Sequence, residues 1–183
     1  PELPDITVYV EALRDRLLGQ ALLSVRIRSP FLLRSVDPPP DAAVGLRVTH
    51  VNRIGKRIVV SFGDVHLVVH LMIAGRLRWT AFQDEERDAG RGSGGGADVG
   101  ARPPNLRKKS MLAFFRFENG ILELTEAGTK HRASLHVVRG EEGLRAFDRG
   151  GVEVLNVSSD EFACALKREN HTVKRALTDP RIV

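Results

Sequence analysis

The chain starts Pro1-Glu2-Leu3-Pro4, and a proline in first position carries a secondary amine that no other residue type supplies. Free α-amino groups titrate near ~7.7–8.0, well below a lysine ammonium at about 10.4, so a useful fraction is unprotonated and nucleophilic at neutral pH. Attack of such an amine on an aldehyde-like sugar carbon gives an iminium directly, the covalent strategy of Schiff-base lysines. Glu2 stands beside it as a group that could give or take a proton. A leading proline also arises where a small second residue allows methionine removal, so the dipeptide needs support from elsewhere in the chain.

An N-terminal nucleophile works only if it is held in place. The spacing of Ile6, Val10, Leu13 and Leu17, with Glu11, Arg14 and Asp15 between them, predicts a helix over residues 5–18. Pro4 and Asp5 suit its start and Gly19 its end. Beyond it the pattern turns to strands: 22–28, with apolar residues at Leu23, Val25 and Ile27, then 47–52, 57–62 and 66–71. Strands 111–118 and 121–125 are joined by Asn119-Gly120, a strong hairpin signal, and another follows at 133–138. Residues 141–147 and 158–168 predict short helices, the second opened by the capping box Ser158-x-x-Glu161. A third helix starts near His171. The expected fold class is α+β: an antiparallel β-sandwich of about eight strands with an N-terminal helix, then a partial helical segment. The expected domains are residues 1–140 and 141–183. Residues 83–107, which include Gly92-Ser93-Gly94-Gly95-Gly96, read as a flexible loop between strands.

The composition, 42% hydrophobic, suits a globular core, and 28 Lys+Arg against 23 Asp+Glu leave a net charge of +5. That balance is compatible with a polyanionic partner. The single cysteine, Cys164, excludes an internal disulfide and a cysteine-rich metal site; its place between Phe162 and Leu166 reads as core. No apolar run approaches the ~18 residues a membrane span needs. The expected location is cytoplasmic, associated with the nucleoid, and the expected state is a monomer.

Four segments carry a resemblance. Pro1-Glu2-Leu3-Pro4-Asp5-Ile6-Thr7 resembles the Pro-Glu-Leu-Pro-Glu-Val-Glu start of the formamidopyrimidine-DNA glycosylase family, which includes endonuclease VIII. Arg53-Ile54-Gly55-Lys56-Arg57 is similar to the family's segment bearing its single catalytic lysine. His70-Leu71-Met72-Ile73-Ala74-Gly75-Arg76-Leu77 resembles the family's His-Leu-Gly-Met-Ser-Gly-Ser-Leu turn. Lys174–Arg181 resembles the start of the helix–two-turns–helix module. The resemblance covers the chain apart from the Gly-rich stretch.

It implies a base-excision-repair DNA glycosylase with associated abasic-site lyase activity, acting on damaged double-stranded DNA. Pro1 is then the nucleophile, Glu2 the proton-handling group and Lys56 a phosphate contact or an aid to β-elimination. The base to be removed must leave the stack, and the void takes an apolar wedge: Ile73 at the family's methionine position, or Met72 one place earlier. His70, Arg76, Lys130, Arg132 and Lys174 are the implied further DNA contacts. Thr125–Arg132 departs from the family's Asp-Pro-Arg-Arg-Phe-Gly, lacking its phenylalanine and early arginine, and Asp5-Ile6-Thr7 departs from Glu-Val-Glu. The family's Gly-Asn phosphate grip and zinc finger have no counterpart before Val183, so no zinc or other cofactor is expected in this chain. The expectation is of an impaired enzyme; the alternative is a catalytically weak or inactive DNA-binding fragment or paralogue.

Overall fold

The computed structural model describes residues 1–82 and 110–182, so the Gly-rich stretch 83–107 lies outside the described residues. Helix α1 spans Leu3–Leu17, with Pro4 in its first turn and the Glu2 N–H donating to Asp5 Oδ2 at 2.8 Å. Its buried stripe is the four residues of helical spacing, Ile6, Val10, Leu13 and Leu17. Arg14 reaches from α1 to the carbonyl of Val51 at 2.9 Å, and the Leu77 N–H meets Tyr9 Oη at 3.4 Å.

Eight strands follow: β1 Leu22–Ile27, β2 His50–Ile54, β3 Arg57–Phe62, β4 Val65–His70, β5 Gly75–Ala81, β6 Met111–Phe117, β7 Gly120–Glu126 and β8 Ser134–Arg139. They form two antiparallel four-stranded sheets, ordered β1-β6-β7-β5 and β2-β3-β4-β8. Leu22, Phe115 and Phe117 of one sheet share a core with Ile58, Leu67 and Leu135 of the other and with the α1 stripe. Each such large side chain contributes roughly 1.5–3 kcal/mol by leaving water. Because α1 is bonded to β2 and to β5, both edge strands, it links the two sheets.

The remainder is helical: α2 Gly140–Arg145, α3 Ser159–Leu166 and α4 Val173–Ala176. Ser158 and Glu161 form the reciprocal capping box expected of them, with bonds of 3.3 and 3.0 Å. Ala165, Ala176 and Ile182 make a small second core. No helix among the described residues is long and apolar enough to cross a membrane.

The structure corrects three expectations. Strand β5 was not read from the sequence: Arg76 and Arg78 interrupt any apolar run, and the strand is a half-exposed sheet edge. In β1 an irregularity in register between Leu22 and Ser24 buries Leu22 and Val25 and turns Leu23 outward. Cys164 is exposed rather than core. Phe162, Cys164 and Leu166 alternate with a period of two, but the segment is helical, and a helix turns two consecutive steps through about 200°. Ala165 takes the buried position instead.

Gly75 begins β5 where a side chain cannot fit: a Cβ there would lie 2.3 Å from the Leu71 carbonyl oxygen. Gly75→Ala should therefore lower stability by about 1–3 kcal/mol, the usual cost of overpacking. A urea titration that shows no fall in midpoint would contradict this.

Candidate active site

The β2–β3 hairpin turns at Gly55-Lys56, with Gly55 at φ 55°. That turn lifts Lys56 toward the start of α1, where its Nζ donates to Glu2 Oε2 at 2.5 Å. Both side chains are open to solvent. The bond to Lys56, followed by the charge of Lys56, holds the Glu2 carboxyl below its ordinary value. Glu2 is thus an ionised carboxylate at neutral pH, suited to accepting a proton. Pro1, half-buried, precedes it.

His70, at the end of β4, pairs across the sheet with Arg57. Burial, then the positive charges of Arg57, Lys56, the N-terminus and His136, push the His70 imidazole down from its ordinary value. Its ring stays neutral and offers an N–H rather than a charge. Pro1, Glu2, Lys56 and His70 therefore belong to one electrostatic neighbourhood, assembled from α1, the β2–β3 turn and β4.

The next turn carries Met72 and Ile73, the residues expected to act as a wedge. The chain leaves β4 through the buried Leu71, and the Gly75 N–H closes the turn on the Leu71 carbonyl at 2.9 Å. Met72 stands at φ 53°, a left-handed conformation that costs a non-glycine residue roughly 1–2 kcal/mol. Ile73 is 75% exposed, so it is no continuation of the core strand. Arg76 donates to the carbonyls of Ile73 at 3.1 Å and Gly75 at 2.7 Å, which places its guanidinium as a brace of this turn.

Lys130 and Arg132 are exposed on the β7–β8 loop, and Lys174 is exposed on α4. Sequence reasoning missed what shapes that loop. Glu126, 2% exposed, accepts the backbone N–H groups of Arg132 at 2.8 Å and Ala133 at 3.0 Å. A lone carboxylate ending an apolar strand reads as solvated, and backbone amide partners leave no sequence signature. Glu126→Ala would strand two amides, at about 1–3 kcal/mol for each that stays buried. Thermal melting should show that loss; an unchanged melting temperature would mean water takes over the bonds.

A second unforeseen contact joins Arg53 of β2 to Glu153, 100 residues later, in an ion pair. It crosses a cleft of about 620 Å³ between the β2–β3 turn and the helical segment, lined by Lys56, Arg57, Phe147 and Arg149 among others. Lys130, Arg132 and Lys174 do not line it. Among the described residues no group of three or more His, Cys, Asp or Glu side chains converges as a metal site.

Comparison with known proteins agrees with this layout. The model of the formamidopyrimidine-DNA glycosylase N-terminal domain matches residues 1–126. A formamidopyrimidine-DNA glycosylase of Solibacter usitatus is 27% identical over 186 residues, covering 100% of this chain and 60% of the relative. One from Thiobacillus denitrificans is 37% identical over 81 residues, 44% of this chain and 30% of the relative. Among solved structures, the complex of Lactococcus lactis Fpg with DNA containing an abasic site superposes with a TM-score of 0.74 at 19% identity, covering 100% of this chain and 62% of that one. At that identity the likeness is one of fold. The chain thus spans about three fifths of the length of the proteins it matches from end to end. By the match over residues 1–126, the chain belongs to the formamidopyrimidine-DNA glycosylase family.

Proposed function

We infer that this chain is a DNA glycosylase of base excision repair with associated abasic-site lyase activity, working through a Schiff base at Pro1. The observation that carries this reading is the Glu2–Lys56 pair beside Pro1, which joins the β2–β3 turn to the start of α1. With Pro1 first in the chain, its nitrogen lone pair forms a bond to the deoxyribose C1′ as the C1′–base bond breaks. The base leaves with that bonding pair and takes up a proton. Opening of the sugar ring gives an iminium. Loss of a C2′ proton then expels the 3′-phosphate, and hydrolysis frees Pro1. The iminium of a secondary amine has no N–H to lose, so it stays cationic and activates the C2′ proton, which is the chemical advantage of proline here.

Glu2, held as a carboxylate, takes the proton from the attacking amine and relays it as the ring opens. Lys56 holds Glu2 in the resting site and turns to the departing phosphate when DNA is bound. His70 and the Lys130 and Arg132 loop contact the backbone, Ile73 with Met72 behind it fills the vacated stack, and Lys174 adds a contact from the helical segment. Arg76 fixes the wedge turn.

The test is the pH dependence of incision at an abasic site. Glu2→Gln should lower the rate by about 10²–10⁴-fold, the usual worth of a positioned acid–base group. Lys56→Met removes the bond that depresses Glu2, so the carboxyl returns upward, and the limb of the rate profile in the carboxylate range, below the one set by the attacking amine, moves to higher pH. Lys56→Arg should keep the limb where it was. An acid limb unmoved by Lys56→Met would mean that Glu2 is not the titrating group.

A further inference from the structure

The 620 Å³ cleft holds a cationic pair that the chemistry at Pro1 does not use. Arg57 lies half-buried with its guanidinium carbon 5.6 Å from the centre of the Phe147 ring. Arg149, two residues further on, is exposed and lines the same cleft. Among the described residues neither arginine has a carboxylate within ion-pair distance. This differs from Arg53, which shares the cleft but is neutralised by Glu153. Burial, and after it the charge of Arg149, push the Arg57 guanidinium down from its ordinary value, as expected where two cations face each other without an anion between them.

A guanidinium lying over an aromatic face is oriented by the cation–π attraction and keeps N–H groups free to donate. Two such groups at one cleft, one half-buried over a ring and one exposed, suit a phosphate, whose oxygens can accept from both guanidinium groups. Lys56 lies at the rim of this cleft and is bonded to Glu2 next to Pro1. A strand whose sugar is at Pro1 therefore has a neighbouring phosphate within reach of the cleft.

We propose that Arg57, lying over the Phe147 ring, and Arg149 together form a phosphate-binding site that takes one backbone phosphate of the damaged DNA strand, separate from the phosphate met by Lys56. The proposal rests on the DNA reading above. The site adds affinity and register to the strand and has no part in the bond-making steps.

The same phosphate chemistry is offered by an internal phosphodiester and by the terminal 5′-phosphate of a nicked product, so binding is measured to both. The probes are a duplex with a tetrahydrofuran abasic analogue and the same duplex nicked with a 5′-phosphate at the lesion. Arg149→Ala, at an exposed position, and Arg57→Gln, checked for folding by circular dichroism, are compared with the wild-type chain over a range of salt.

For an internal phosphodiester, each variant should weaken binding to the intact duplex about tenfold and flatten its salt dependence by about one phosphate equivalent. Because one phosphate is shared, the double variant should flatten the slope no further. Arg57→Lys should restore the slope but only part of the affinity, since it keeps the charge and loses the planar fork. Effects confined to the nicked duplex would overturn the internal assignment in favour of a product-end site. A wild type that binds DNA while both single variants bind it identically, with the same slope, would overturn the site alone. A wild type that ignored both duplexes would overturn the functional reading and the site with it.

Discussion

Placing one extra residue ahead of Pro1 should abolish borohydride capture of the chain on abasic DNA while leaving DNA binding within a few-fold of the original. The added residue turns the Pro1 nitrogen into a tertiary amide, whose lone pair is delocalised into the carbonyl. The only terminal amine then belongs to the added residue, one residue away from where the Pro1 nitrogen stood, while Glu2, Lys56 and the fold are untouched. Pro1→Gly is the complementary variant. It keeps a free terminal amine, so capture should persist at a lower rate. The pair separates loss of the nucleophile from loss of the fold, because α1 begins at Leu3 and its buried stripe starts at Ile6. Capture by the extended chain would show that Pro1 is not required and would point to the added amine or to a lysine such as Lys56, which is bonded to Glu2, the two being told apart by acetylating the added amine.

The second large effect concerns substrate. For the 183-residue chain as it stands, incision at an abasic site should exceed excision of an intact 8-oxoguanine on the order of 10²-fold. An abasic sugar has no base to extrude and already spends part of its time as an open aldehyde. An intact lesion must be unstacked at a cost of a few kcal/mol, and about 3 kcal/mol is a factor of roughly 10² in rate. Ile73 and Met72 offer one narrow wedge against that cost, and the Thr125–Arg132 loop lacks the aromatic partner its family carries there. Binding should also be steeply salt-dependent. If roughly five phosphates are met by Lys56, Lys130, Arg132, Arg149 and Lys174, a rise from about 50 to 200 mM salt costs about 500-fold in affinity. Side-by-side assays at those two salt concentrations check both statements. Efficient, salt-tolerant removal of 8-oxoguanine would show that this chain grips a flipped base without further contacts.

Much of this molecule is written in local periodicity. The α1 stripe, the Asn119-Gly120 hairpin and the Ser158 capping box each depend on residues within a turn or two of one another, and each stands where its pattern puts it. The features that escaped are set by partners far away in sequence. Strand β5 is defined by pairing with β7 over Gly75–Ala81, not by its own apolar content. Glu126 is buried because two amides of the following loop converge on it, and Arg53 meets Glu153 across 100 residues. At the site, the motif resemblance named Pro1, Glu2, Lys56 and His70, and the fold brings these into one neighbourhood. It gave Arg76 a DNA contact but not the bonds its guanidinium makes to the carbonyls of Ile73 and Gly75 in its own turn. Nor did it single out Arg57, whose neighbour Phe147 arrives from 90 positions later in the chain.

The most direct measurement is the identity of the residue that becomes attached to DNA. The wild-type chain is incubated with an abasic duplex, reduced with borohydride, digested with trypsin and analysed by mass spectrometry. The added deoxyribose mass should sit on the N-terminal peptide Pro1–Arg14, with fragmentation placing it on the Pro1 nitrogen. A sugar adduct on Lys56, or an abasic duplex left unmodified by a chain confirmed to begin at Pro1, would contradict the Schiff-base chemistry proposed for this site.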